Sequence, residues 1–279
     1  MCSVNLLLDL YELTMAASFF AHKVDAQATF DLFIRRLPES RSFFVAAGLE
    51  NALNFLEKFA FSREDIAFLR QKGLFEKDFL EYLRSLRFTG TVYALPEGTV
   101  FFPNEPIMRI TAPILEAQLV ESYLLNTINV ATTICTKASR VVVAAKGRGV
   151  YDFSLRRTQG ADAGLVAARS SYIAGGAGTS NTLAGCRYGI PIAGTMAHSF
   201  VMSFKSELES FRAYASTFPD TTILLVDTYD YHKGIANAIT VAKELAVKGH
   251  GLRAIRLDSG DLAAISQRAR SMLDEAGLS

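Results

Sequence analysis

TILLVD, residues 222–227, decides the fold: four aliphatic residues in a row, closed by a carboxylate and followed by a stretch with helical periodicity. That pairing of a short apolar run with a helix reads as one βα unit. Three other runs share the form, VYDFSL (150–155), IPIAGTM (190–196) and LRAIRLD (252–258). Apolar runs alternating with helical patterns are the signature of a parallel sheet. In such a sheet all carboxyl ends of the strands face one side, so Arg156 and Arg157, His198, Asp227, and Asp258 with Ser259 are expected to converge on one mouth. Closing a barrel takes about eight strands, so the expected barrel is incomplete.

The preceding residues have another character. A helix is expected over Leu7–Phe20 and a strand in ATFDLFIRRLP (28–38). Amphipathic helices follow in AAGLENALNFLEKFA (46–60) and SREDIAFLRQKG (62–73), the second with Ser62 as N-cap and Glu64 and Asp65 in its first turn. Residues 88–112 set short β-branched and aromatic runs between Gly and Pro, which predicts a small antiparallel element. Two helices are expected over Pro113–Asn126 and Thr127–Lys146. These changes of rhythm suggest an N-terminal α/β domain over 1–112 and a partial barrel domain over 113–279.

Composition narrows the function. Half of the 279 residues are hydrophobic, enough for a sizeable core. With 29 basic and 28 acidic residues the formal charge is +1, so no global field recruits nucleic acid or a membrane surface, and an anionic ligand must be held by local groups. Cys2, Cys135 and Cys186 are far apart with no CxxC spacing, which argues against disulfides or structural zinc and for a reducing compartment. No apolar run reaches the roughly 18 residues of a membrane helix, and the opening MCSVNLLLDLYELTM lacks the basic flank of a signal peptide.

His198, in GTMAHSFV (194–201), is the sharpest candidate. A histidine among apolar residues is commonly a core residue, but the small neighbours Gly194, Thr195, Ala197 and Ser199 leave space around this ring, which can act as base or nucleophile near neutral pH. In IRLDSGDL (255–262), Asp258 can bind ribose hydroxyls or hydrated magnesium, while Ser259 and the backbone N–H groups of Gly260 and Asp261 can accept an anion or cap a helix. Arg256 on the barrel side would need an anion to offset its charge. In FSLRRTQGADAG (153–164), Arg156 and Arg157 can hold phosphate or form a solvated loop. YIAGGAGTSNTLAG (172–185) brings Thr179, Ser180 and Asn181 without a carboxylate and without the GxxxxGK[ST] of a Walker loop; it reads as a turn and N-cap or as a donor-rich site for a small acid.

Taken in order, DLYELTM (9–15), FDLFIRRLP (30–38), FSLRRTQG, NTLAG, GTMAHSFV, LLVDTYD and IRLDSGDL closely resemble the nicotinate phosphoribosyltransferase family across nearly the whole chain. GTMAHSFV and RLDSGDL carry the most specificity. The resemblance implies an N-terminal α/β domain followed by an irregular TIM-like α/β barrel, here incomplete, in a cytoplasmic head-to-tail homodimer with shared active sites. It implies that nicotinate and phosphoribosyl pyrophosphate give nicotinate mononucleotide and pyrophosphate, with ATP hydrolysis as energetic partner, in NAD synthesis. His198 matches the histidine that ATP phosphorylates. Arg156 would contact the substrate carboxylate or a phosphate, with Arg157 beside it; Arg256 and Asp258 would contact phosphate and ribose hydroxyl. Tyr11 would stack on the pyridine ring from the partner subunit, Arg35 would reach across the dimer, and Asp227 would help to place Mg2+.

The family's pattern continues with further strands and a glycine-rich phosphate segment not found before Ser279, so a C-terminally truncated chain is expected, active or an inactive remnant that only associates with subunits. A nicotinamide-using sister enzyme would carry an aspartate where this chain has Asn181. A quinolinate-type enzyme would need more Lys and Arg around a dicarboxylate.

Overall fold

Helix α1 spans Leu10–Ala21 after a 3-10 turn at Val4–Leu6, in the computed structural model of the chain, which describes residues 2–278. Strands β1 (Gln27–Phe33) and β2 (Phe44–Val45) precede helices α2 (Leu49–Lys58), α3 (Arg63–Lys72) and α4 (Lys77–Ser85). The start of α3 is written locally: Ser62 Oγ accepts from Asp65 N–H, and the Asp65 carboxylate accepts from Ser62 N–H, a capping box. The same carboxylate accepts the Ser3 N–H at 2.7 Å and the Ser3 hydroxyl at 2.6 Å, tying residues 62 positions apart. Burial works against its charge, yet these hydrogen bonds outweigh burial and hold the Asp65 carboxyl below the usual range.

Strands β3 (Thr91–Ala94), β4 (Val100–Phe101) and β5 (Pro106–Pro113) form the expected antiparallel element. β5 is central, flanked by β1 and β3, and β4 pairs with β2. Helices α5 (Ile114–Leu119) and α6 (Glu121–Ala144) meet at Val120, six residues before the junction expected after Asn126. No Gly or Pro marks that point; Leu119 and Val120 are 1% and 0% exposed, so burial of adjacent side chains sets it. Leu13, Phe55, Leu80, Phe101 and Met108 share the main core of this half. Cys135 is buried on α6, and burial pushes its thiol up to about 12, so it is an inert hydrophobe.

The βα rhythm follows. β6 (Tyr151–Asp152), α7 (Ala161–Ile173), β7 (Gly178–Thr179) and α8 (Thr182–Tyr188) form one group, with β6 and β7 parallel. Next come α9 (His198–Met202), α10 (Glu207–Thr217), β8 (Ile223–Leu225), α11 (Tyr231–Val247), β9 (Ala254–Arg256) and α12 (Leu262–Glu275), with β8 and β9 parallel. Three of the four expected runs thus contain a strand. IPIAGTM supplies only an isolated bridge from Ile192 to Thr179, because Pro191 has no N–H to give a ladder and Gly194 weakens one. His198 accordingly opens a short helix instead of ending a strand. Conversely, Gly178–Thr179 pairs within a stretch read as loop: a Cβ on Gly178 would lie 2.4 Å from the Pro191 carbonyl oxygen, so the close approach needs glycine.

The chain divides into two compact units, one ending at Ala193 and one beginning at Gly194. The second has its own core, with Phe211, Leu224, Val226, Ile235 and Val241 at its centre. No described helix is long and apolar enough to cross a membrane.

Candidate active site

In the second unit, β8 and β9 run side by side, and Val226 N–H donates to the Arg256 carbonyl at 3.1 Å just past the ladder. Asp227 and Thr228 therefore leave the sheet at the same end as Asp258 and Ser259. The two exits are joined: Asp227 Oδ2 accepts from Asp258 N–H and from Ser259 Oγ, each at 2.7 Å. Asp227 Oδ1 is buried with no hydrogen-bond partner. Helix α11 closes on this end through Gly234, where a Cβ would stand 1.9 Å from the Val226 carbonyl oxygen. Gly234→Ala must push α11 off the strand end, and we expect a loss of about 1–3 kcal/mol. Urea denaturation measures it; an unchanged midpoint would contradict this packing.

His198, from the first turn of α9, faces this junction. Its Nδ1 is 3.1 Å from Thr228 Oγ1 and its Nε2 is 3.5 Å from Asp258 Oδ2. Asp258 Oδ1 accepts from Arg256 Nη2 at 2.6 Å, and Arg256 Nη1 donates to Thr195 Oγ1 at 3.2 Å. The Arg256 hydrogen bond, aided by His198, holds the Asp258 carboxyl below the usual range against partial burial. The ring, carboxylate and guanidinium are 38%, 43% and 28% exposed, so the group is reachable from solvent. Gly260, at φ +78°, turns the chain into α12, whose N-cap Asp261 accepts from Ala264 N–H at 3.1 Å.

The fold thus gathers His198, Asp227, Arg256, Asp258 and Ser259, from separate elements, with Gly260 adjoining. Thr195 and Thr228 complete the cluster and were not among the expected site residues. The one signal for Thr228 is a hydroxyl residue directly after the strand-ending Asp227.

The remaining candidates lie in the first unit. Tyr11 is exposed on the first turn of α1; partial burial and the nearby carboxylates of Glu121, Glu12 and Asp9 push its hydroxyl up to about 12, so it is a neutral phenol. Arg35 is exposed just beyond β1, and Arg156 and Arg157 are exposed on a 3-10 turn, Leu155–Arg157. Thr179 is fully buried, its hydroxyl donating to Asp152 Oδ2 at 2.9 Å and accepting from Asn181 N–H at 3.0 Å. Asn181 Oδ1 caps α8 by accepting from Ala184 N–H at 3.1 Å, and its Nδ2 donates to the Gly164 carbonyl at 3.3 Å. Ser180 N–H donates to the Asp152 carbonyl at 2.8 Å. Asp152, absent from the expected set, organises this end of β6.

Carboxylate, guanidinium and hydroxyl groups at the carboxyl ends of a parallel strand pair, with an imidazole from the first turn of α9, give this mixed α/β protein a solvent-reachable cluster that can meet an anionic group. A family model for the N-terminal domain of nicotinate phosphoribosyltransferase matches residues 6–129. A nicotinate phosphoribosyltransferase of Mycobacterium tuberculosis is 52% identical over 270 residues, 97% of this chain and 58% of the relative. One of Bacillus subtilis is 44% identical over 277 residues, 99% of this chain and 56% of the relative. The crystal structure of human nicotinic acid phosphoribosyltransferase superposes with a TM-score of 0.88 at 34% identity, over 96% of this chain and 64% of that one. The chain belongs to the nicotinate phosphoribosyltransferase family. It spans less than three fifths of the length of these Mycobacterium and Bacillus relatives.

Proposed function

We propose that the chain joins nicotinate to phosphoribosyl pyrophosphate, releasing nicotinate mononucleotide and pyrophosphate, with ATP hydrolysis as the coupled reaction. The observation that carries this reading is the approach of the His198 ring to Asp258 at 3.5 Å, with Asp258 held by Arg256 at 2.6 Å. Loss of pyrophosphate from the anomeric carbon builds positive character on the sugar and negative charge on the leaving group, while the pyridine nitrogen is already a nucleophile. The protein therefore needs positioning and charge stabilisation more than a general base. Arg256 meets a phosphate, Asp258 a ribose hydroxyl, and Ser259 with Gly260 the adjoining anion. Arg156, Arg157 and Ser180 contact the acid or a phosphate, with Thr179 and Asn181 shaping their loop. Tyr11 and Arg35 serve a neighbouring subunit's site in a cytoplasmic homodimer. The expected fold is an irregular TIM-like α/β barrel, of which the β8–β9 pair would supply two strands.

His198 accepts the γ-phosphoryl group of ATP: a ring nitrogen forms the N–P bond as the P–O bond to ADP breaks, and water later releases phosphate. Negative charge on the ring then biases the site between substrate-binding and product-releasing states. Among the described residues no three His, Cys, Asp or Glu side chains converge as a metal site. Mg2+, however, commonly takes only one or two protein carboxylates beside waters and substrate phosphates, and the unpartnered Oδ1 of Asp227 fits that demand. Asp227 would hold the ion, which supplies charge neutralisation of pyrophosphate when bound.

Incubation of the chain with γ-labelled ATP tests the reading. Acid-labile phosphate mapping to His198 and turning over faster with nicotinate and phosphoribosyl pyrophosphate is expected. ATP binding without label at His198 would overturn it and leave a role in subunit association.

A further inference from the structure

Among the described residues the imidazole has polar contacts with Thr228 and Asp258, and the nearer one is Thr228. Its hydroxyl is 3.1 Å from Nδ1, against 3.5 Å between Nε2 and the Asp258 carboxylate. We propose that Thr228 is a positioning residue for His198, fixing both the aim of the ring and its tautomer: the hydroxyl donates to Nδ1, and the ring proton sits on Nε2.

Three observations carry this. Asp258 is bound through Oδ1 by the Arg256 guanidinium at 2.6 Å, so its other oxygen meets the ring as an acceptor only, and a neutral imidazole facing it places its N–H at Nε2. Nδ1 is then left with a lone pair, to which a threonine hydroxyl can donate. At 3.5 Å the carboxylate is a loose guide for the ring, so the closer hydroxyl supplies most of the directional restraint.

The hydroxyl is itself well held. Thr228 follows Asp227, whose carboxylate is fastened to Asp258 N–H and Ser259 Oγ, and the preceding Val226 is gripped from the other side by Gly234 of α11. A β-branched side chain restricts χ1, so threonine presents its oxygen in fewer directions than serine would. Valine at this place keeps the shape and removes the donor, leaving the ring free to change tautomer and to rotate away from Asp258.

The kinetic consequence rests on the reading of His198 as the phosphorylated residue; the tautomer does not. The test is 15N NMR of the chain labelled at histidine, with the His198 signals assigned by H198Q. In the native chain Nε2 is expected at the shift of a protonated nitrogen and Nδ1 at that of an unprotonated acceptor. In T228V both shifts move toward the averaged values of an unrestrained ring, and T228S restores the native pair. In parallel, T228V changes the rate of labelling by ATP about 3- to 10-fold, the worth of one neutral hydrogen bond, because the Thr228 hydroxyl occupies the Nδ1 lone pair that the proposed tautomer leaves to attack phosphorus, and T228S stays within about twofold of native. Native shifts in T228V, or Nδ1 carrying the proton in the native chain, would overturn the proposal. Absence of ATP labelling in the native chain would count against the phosphorylation reading alone, and the nitrogen shifts would still decide the role of Thr228.

Discussion

Arg256→Ala will slow nicotinate-dependent release of pyrophosphate by about 10²- to 10³-fold, the usual loss when one pre-placed donor to developing oxygen charge is removed. Arg256 closes β9, and its guanidinium is oriented before any ligand arrives, by Thr195 Oγ1 at 3.2 Å and Asp258 Oδ1 at 2.6 Å. Without it, Asp258 loses its strongest partner, so on the proposed function ribose contact and charge stabilisation would fail together. Arg256→Lys keeps the charge and loses the fork that grips two oxygens at once, so it recovers part of the rate only. Helical content by circular dichroism should be unaffected by either change, because the guanidinium bonds to Thr195 and Asp258 are links between side chains, partly open to water. A rate for Arg256→Ala within twofold of native would remove Arg256 from the reacting groups.

Arg169→Ala will destabilise the first unit by about 1.5–3 kcal/mol, the range for hydrogen bonds to a charged group, here in a largely covered ion pair. Arg169 on α7 donates through Nη1 and Nη2 to the two oxygens of Glu97 at 2.8 and 2.7 Å, and Nη2 also reaches Glu50 on α2. Arg169 and Glu97 are only 14% and 17% exposed, so the carboxylate left behind is poorly solvated. Glu97 also accepts the Gly48 N–H at 2.6 Å, where the chain enters α2 at φ +99°, so the damage extends to that helix start. Burial works against the charge on Glu97, but Arg169 and the Gly48 and Leu49 amides outweigh it and hold its carboxyl below the usual range. A depressed folded value stabilises fully above the unfolded glutamate pKa of about 4.3 and is lost as pH falls through the folded one. The stability gap from native is therefore full at pH 7 and narrows below the unfolded value of about 4.3, so urea titrations compare pH 7 with about pH 3. A gap of equal size at both would exclude Glu97 as its source.

Residues whose surroundings are local were legible in the sequence, and residues set by distant contacts were not. TILLVD and LRAIRLD yield β8 and β9 because each is a short apolar run that pairs in parallel with the other, β8 mostly buried and β9 partly exposed, and Ser62 announces α3 because capping is decided within four residues. Val120 could not be foreseen as a helix junction, since only the surrounding core distinguishes it from its neighbours. In the cluster, His198, Arg256 and Asp258 were visible as reactive types near strand ends, and the structure brings them within direct contact. Thr179 and Asn181 look in sequence like ligand donors, yet their side chains bond to Asp152, Gly164 and Ala184. Thr228 escaped notice because a lone hydroxyl has no meaning until the ring it faces is placed.

The Asp227 carboxylate, clasping the amide of Asp258 and the hydroxyl of Ser259, makes the two strand exits a single mechanical body. Ser259 is thus linked to Thr228 through a single residue, Asp227, without a path through the hydrophobic interior. On the proposed function, a ligand that moved Ser259 would pull on Asp227 through one oxygen atom, and so on Thr228 and the ring it faces.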